Sequence, residues 1–211
     1  MNTISILDKI KECLRKSKQE NNLFFPPFEF TSDFNYLYKK QFKFKQKYYL
    51  KASVFVLLKE LENNLYVVLT KRSKNLSSHP GQISFPGGRV DKNDNSILHA
   101  GLREVEEEIG VKKESIETFG VLPPHETISR YIIYPFVGFI KNPIEFKINN
   151  QEVEELFLVP LDFFLVSKNM QYHKNFKKDQ YTGYYAIPYG PYYIWGATAR
   201  IIKSFIARYQ S

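Results

Sequence analysis

A single cysteine, Cys13, stands among 211 residues. One thiol excludes an intrachain disulfide and a multi-thiolate zinc cluster, and a reducing cytoplasm is the expected setting. No apolar run reaches the length that spans a bilayer, and Asp8 and Lys9 interrupt the first apolar residues too early for a secretory leader, so no membrane association is expected. No segment repeats internally. What is present is 43% hydrophobic content, enough for one substantial core in a chain of this length, and a formal charge of +8.

Residues 103–110 read Arg-Glu-Val-Glu-Glu-Glu-Ile-Gly and follow a Gly87-Gly88 turn. At about 100 degrees per residue, Glu104, Glu107 and Glu108 fall in one narrow arc of a helix, while Leu98, Leu102, Val105 and Ile109 recur on the opposite side. Asp94 or Ser96 can cap its start, and Gly110 can end it by entering the left-handed region without a side-chain penalty. Like charges one turn apart repel unless a cation lies over them. Hard oxygen ligands suit Mg2+ or Mn2+, which also bind substrate phosphates, so Glu104, Glu107 and Glu108 are the candidate metal ligands. The plain alternative is a solvated acidic face balanced by Arg103 and nearby lysines.

Upstream, 65–71 alternates as a strand, 72–82 is a polar loop containing Pro80-Gly81, and 83–85 can form a second short strand before Pro86-Gly87-Gly88. Adjacent glycines let a backbone approach a ligand closely, and amides near a helix start favour anions, so Gly87 and Gly88 are candidate substrate contacts.

The segment from Gly88 to Val111 resembles the signature of the Nudix hydrolases, which cleave nucleoside diphosphates linked to another group. Arg103, Glu104, Val105, Glu107, Glu108, Gly110 and Val111 match its closing half, whereas the acidic residue expected after the glycine is Asp94, one residue further from Arg103. Leu69-Thr70-Lys71-Arg72-Ser73, His79-Pro80-Gly81-Gln82-Ile83-Ser84-Phe85-Pro86-Gly87-Gly88 and Ile194-Trp195-Gly196-Ala197-Thr198-Ala199 are similar to segments of the coenzyme A pyrophosphatase subgroup. Ser77 stands where that subgroup has arginine. The resemblance covers roughly residues 51–205.

It implies a metal-dependent pyrophosphatase that cuts coenzyme A or its derivatives to 3',5'-ADP and a phosphopantetheine product. Arg103 would organise the helix carboxylates, and Arg72 would lie near the cleft, binding a phosphate or steadying a carboxylate. His79 could contact a phosphate or bond to backbone, and Gln82 could orient the same loop. Glu152-Val153 resembles a late acidic position, making Glu152 the favoured supplementary ligand or base, with Glu104, Glu154 and Glu155 left open as bases. Trp195 and Thr198 are expected to serve in core contacts, helix capping or support. Two other readings stay open: hydrolysis of ADP-ribose or another nucleoside diphosphate derivative, and a non-catalytic nucleotide- or RNA-binding relative.

The expected fold is α/β, a Nudix-like α/β/α sandwich with a mixed sheet. Strands are expected at 52–58, 65–71, 131–140, 157–159 and 181–187, and helices at 96–109 and 196–209. Residues 1–47 form a helical and then basic/aromatic extension, with Ile6, Leu7, Ile10 and Leu14 marking an amphipathic helix, and 48–211 form the hydrolase domain. Lys39, Lys40, Lys43, Lys45, Lys47 and Lys51 lie among Phe42, Phe44, Tyr48 and Tyr49. That mixture can grip RNA, but it equally describes buried rings with solvated lysines, and nucleic acid is not the expected partner. The expected partner is a small nucleotide, coenzyme A first, and homodimer formation is left open.

Overall fold

The structure, a computed structural model, describes residues 3–19, 31–32, 49–141, 143–177 and 180–211. The expected boundary between 47 and 48, and nearly all of the basic and aromatic stretch before it, lie outside those residues.

Strand β2 (Leu50–Leu61) is buried almost continuously from Ala52 to Leu58 rather than at alternate positions, because both of its faces are covered. It turns through Glu62 and Asn63, both at positive φ (50° and 61°), into β3 (Asn64–Arg72). Two such residues match the right-handed twist of the paired strands. The short strands β4 (Ile83–Ser84) and β5 (Gly87–Arg89) pair with β3 and β2. Helix α2 (Ile97–Ile109) follows. Then come β6 (Ile116–Val121), β7 (His125–Glu126), β8 (Tyr131–Ile140) and β9 (Val153–Pro160). With β1 (Thr31–Ser32) they complete one mixed nine-stranded sheet, whose path β1-β7-β8-β2-β3-β4 carries β5 on β2, β6 on β8 and β9 on β3. β8 runs parallel to β2, and β9 antiparallel to β3.

Helix α2 covers one face, where Val105 and Ile109 meet Phe55, Leu57, Val68 and Ile140. The other face is covered by α1 (Thr3–Gln19), α3 (Leu161–Leu165) and α4 (Gly196–Gln210). There Leu7, Ile10 and Leu14 join Val56, Leu58, Leu69, Ile202 and Phe205 in one cluster. The α/β/α layering expected from the sequence is the observed one. A second, three-stranded antiparallel sheet is formed by β10 (Gln171–Lys177), β11 (Gln180–Tyr189) and β12 (Tyr192–Trp195).

The helix ends follow local chemistry. Ser96 Oγ accepts from the His99 N–H at 3.0 Å, and Gly110 at φ 73° closes α2 with its N–H on Glu106 O. Strands β1, β6, β7, β10 and β12 and helix α3 were not anticipated, and Gly87-Gly88, expected as a turn, lies in strand β5. β6 is broken by a register shift between Thr118 and Gly120, which spoils its alternation. β9 starts at Val153, among glutamates that read as loop.

Candidate active site

The site forms where β5 passes under α2. Gly87 lies at φ 144°, and a Cβ there would overlap the Ser53 carbonyl of β2; a Cβ on Gly88 would overlap the Glu104 carboxylate. Gly87 therefore excludes a side chain so that β5 can lie on β2, and a side chain at Gly88 would push the Glu104 carboxylate from its place against the strand.

Glu104, Glu108 and Glu152 each place a carboxylate oxygen within 4.8 Å of the others. Glu108 is 2% exposed; its Oε2 accepts from the Gly87 N–H at 3.1 Å, and its Oε1 is 3.7 Å from Arg72 Nη1. Burial pushes its pKa up to about 8, opposed by the Gly87 N–H and Arg72. Glu104 is also raised, mainly by burial, against the pull of Arg103. Glu152 arrives on the tight turn before β9, where its N–H donates to Asn149 O at 2.9 Å and its carbonyl accepts from Ser73 N at 2.8 Å. These are hard oxygen donors converging on one point, as a divalent cation requires.

Arg103 is the hub beside them. Its Nε and Nη2 each donate to Asp94 at 3.1 Å, its Nη1 donates to Glu107 Oε2 at 2.8 Å, and its Nη2 lies 3.0 Å from Glu104 Oε1. A further contact reaches Arg89 O at 3.3 Å. Glu107 thus keeps its place on the helix, half exposed, but among the described residues it stands outside the three-carboxylate group. Asp94 also accepts from its loop partner Asp91 N at 2.8 Å and lies 3.1 Å from His99 Nδ1. The Arg103 fork holds its pKa well below the usual carboxylate range. Sequence reasoning weighed Asp94 as a cap or ligand; its position as the anchor of Arg103 was missed. An acidic residue in the loop entering α2, nine positions ahead of Arg103, was the available signal.

The loop after β3 is closed on Arg72: its N–H donates to Gln82 O at 3.0 Å and its carbonyl accepts from Gly81 N at 3.1 Å. His79 and Gln82 meet within this loop, Nδ1 to Oε1, at 3.0 Å. Two of the alternative bases are occupied elsewhere. Glu154 pairs with Lys71 at 2.7 Å and lies 3.7 Å from Lys74, and Glu155 accepts from the Tyr192 hydroxyl. Thr198, buried, donates to Ile83 O at 3.0 Å and so supports β4. Trp195 departs from the expected core position: it is 43% exposed and makes no side-chain cap for α4.

Residues 48–180 match the sequence profile of the NUDIX domain. This chain belongs to the Nudix family. An uncharacterized Nudix hydrolase, NudL, of Pectobacterium atrosepticum is 39% identical over 136 residues, 64% of this chain and 71% of that protein. The NudL of an Escherichia coli O6:H1 strain is 35% identical over 137 residues, with 65% and 71% covered. Among solved structures, a NUDIX hydrolase from Alicyclobacillus acidocaldarius gives a TM-score of 0.47 at 16% identity, covering 75% of this chain and 91% of that one. The Nudix chain is thus an enzyme of metal-dependent hydrolysis, acting on a nucleoside-diphosphate-linked group through a clustered carboxylate centre. Among the described residues no helix is long and apolar enough to cross a membrane.

Proposed function

We propose that this Nudix enzyme hydrolyses the diphosphate of a small nucleotide derivative, with ADP-ribose and coenzyme A as the two substrates to separate. The observation that carries the reading is the meeting of Glu104, Glu108 and Glu152 beside Gly87 and Gly88 of β5. The family match supports the wider class, ADP-ribose included. Coenzyme A is the narrower reading, supported by the similarity of residues 69–88 to the coenzyme A pyrophosphatases and by the closure of that loop on Arg72. The single cysteine supports a cytoplasmic setting.

The three carboxylates fit Mg2+ or Mn2+, with Glu107 a further ligand if Arg103 releases it. When bound, the cation supplies charge that screens the diphosphate and acidifies water. The chain's own residues do the rest. Gly87 N–H and Arg72 aim Glu108 at the cluster, and Arg103 restrains Glu104 and Glu107. Glu104 and Glu152 are the carboxylates placed to accept the proton of the attacking water, since Glu154 and Glu155 are held by Lys71 and Tyr192. Arg72 sits at the edge of the cluster, where its fork can hold a phosphate oxygen, and His79 and Gln82 fix the loop beside it. Gly87 and Gly88 let the phosphate approach the backbone.

A matched turnover panel with Mg2+ and Mn2+, containing coenzyme A, dephospho-coenzyme A, acyl-coenzyme A, ADP-ribose, NADH and a dinucleoside polyphosphate, tests this with product masses. Formation of 3',5'-ADP at the highest efficiency assigns coenzyme A, and consistent preference for ADP-ribose assigns the wider reading. No hydrolysis of any member would contradict both.

A further inference from the structure

We propose that the outward face of the β10–β12 sheet stacks the purine base of the nucleotide substrate. This rests on the nucleotide reading above. In the register of this sheet His173 faces Tyr184, Pro188 faces Tyr193 and Ala186 faces Trp195. Side chains alternate along a strand, so these residues share one face, while Tyr185, Ile187 and Ile194 take the other and turn toward α4. Arg200 and Lys203 lie over the Tyr185 ring on that inner side.

The outer rings are assembled on one another. His173 stacks on Tyr184 with centroids 5.1 Å apart, and Trp195 meets Tyr184 edge-on at 5.7 Å. The Tyr184 and Tyr193 hydroxyls lie 3.5 Å apart. Ala186 beneath them is fully sealed, and Trp195, its ring turned 72° from that of Tyr184, and Tyr193, 43% and 44% exposed, are the open floor of this face.

Area and charge decide what that floor fits. Large aromatic side chains bury roughly 150–250 Å² each when fully covered, so the exposed parts of Trp195 and Tyr193 offer on the order of 200 Å². A stable interface between protein copies takes about 800 Å² per partner, well beyond this floor. Single-stranded nucleic acid is held in a cationic groove, whereas among the described strand positions of this face only Lys177 is charged, at the hairpin end of β10 and remote in register from Trp195 and Tyr193. A flat, uncharged heteroaromatic ring satisfies both limits, and a purine offers the larger stacking area.

Strand β12, which carries Tyr193 and Trp195 on this face, meets the catalytic end of the main sheet through its other face. Tyr192, at the start of β12, bonds to Glu155, and Thr198, just after its end, bonds to Ile83 O. Glu155 and Ile83 are the two register partners of Lys71, one residue from the Arg72 that pairs with Glu108.

Trp195 is the sole tryptophan of the chain, so intrinsic fluorescence reports on this face alone. In a titration of the full chain with Mg2+, AMP is expected to quench saturably, and ribose 5-phosphate to leave the emission unchanged. Trp195→Ala should raise KM for the hydrolysed nucleotide on the order of ten-fold at unchanged kcat, Trp195→Phe should restore it, and Tyr193→Ala should raise it less. Because quenching needs no turnover, AMP quenching in a chain inactive on the whole panel would contradict the hydrolase reading rather than the stacking. Hydrolysis with no AMP quenching, or an unchanged KM in Trp195→Ala, would overturn the proposal. So would a dimer that Trp195→Ala dissociates, or quenching by oligo-RNA at lower concentration than AMP.

Discussion

Asp94 and Glu108 flank the two ends of the same helix and both are covered, Asp94 near the surface beneath Arg103 and His99 and Glu108 deep in the fold, and their ionisation is driven in opposite directions. Asp94 is lowered because two donors of Arg103, the Asp91 N–H and His99 surround it. Glu108 is raised because burial outweighs one N–H and a guanidinium 3.7 Å away. Shallow cover with many donors lowers one carboxylate, and deep burial with few donors raises the other. Asp94 is a completed structural joint. Glu108 is short of positive charge, and a divalent cation supplies it.

The largest expected effect comes from Glu108→Gln. Turnover should fall more than a hundred-fold, beyond the roughly 10- to 100-fold typical of residues that only support a metal site, while melting temperature holds or rises because a buried acid has gone. Retained turnover would place the centre elsewhere.

Asp94→Ala should do the reverse, losing roughly 3 kcal/mol of stability by removing the two charge-assisted hydrogen bonds that anchor Arg103, which keeps Glu104 and Glu107. Melting temperature should drop by about 10 °C for a chain of this size, and turnover should fall less than in Glu108→Gln. A stable, fully active Asp94→Ala would show that Arg103 is held without it.

pH separates the pair by sign. Glu108 has a folded pKa of about 8 against an ordinary 4.5, so its contribution is fully present below about 4.5 and is lost as pH rises through 8. In metal-free protein this is roughly 3 to 5 kcal/mol across that window, and Mn2+ should flatten it. Asp94, depressed below its ordinary 3.8, contributes above that value and loses its contribution only in stronger acid. Denaturant melts of wild type and Glu108→Gln between pH 4.5 and 9 measure the difference, and identical profiles would contradict it.

The smallest effect belongs to Ser53, whose Oγ is, among the described residues, the one buried side-chain polar atom without a hydrogen-bond partner. Under Gly101 of α2 it has neither the donors of Asp94 nor a cation to await. Ser53→Ala should be neutral or stabilising by up to about 1 kcal/mol, and a clear loss of stability would reveal a partner for that hydroxyl.

What could be read beforehand was local. The 3.6-residue periodicity of 98–109, the Ser96 cap and the Gly110 stop gave α2 to within one residue, and the glycine pair marked where β5 and Glu104 meet. Long-range partnerships were not legible in that way. Glu152 joins the cluster from a turn far along the chain and was reached only through resemblance, and the helix spacing, which offered Arg103 a helix carboxylate such as Glu107, did not say that Asp94 would take two of its donors. Trp195 was expected to serve in packing, helix capping or support. The face it occupies depends on the register of β11 and β12, and β12 is only four residues long.

The most direct test is calorimetric titration of Mn2+ into metal-free wild type and Glu108→Gln at pH 7, in two buffers of different ionisation enthalpy. A carboxyl with a pKa of about 8 is mostly protonated at that pH, so binding to wild type should release close to one proton per ion. Glu108→Gln should show neither the proton release nor comparable affinity. Equal Mn2+ binding by both proteins, with no proton released by wild type, would contradict the assignment of Glu108 to the cation.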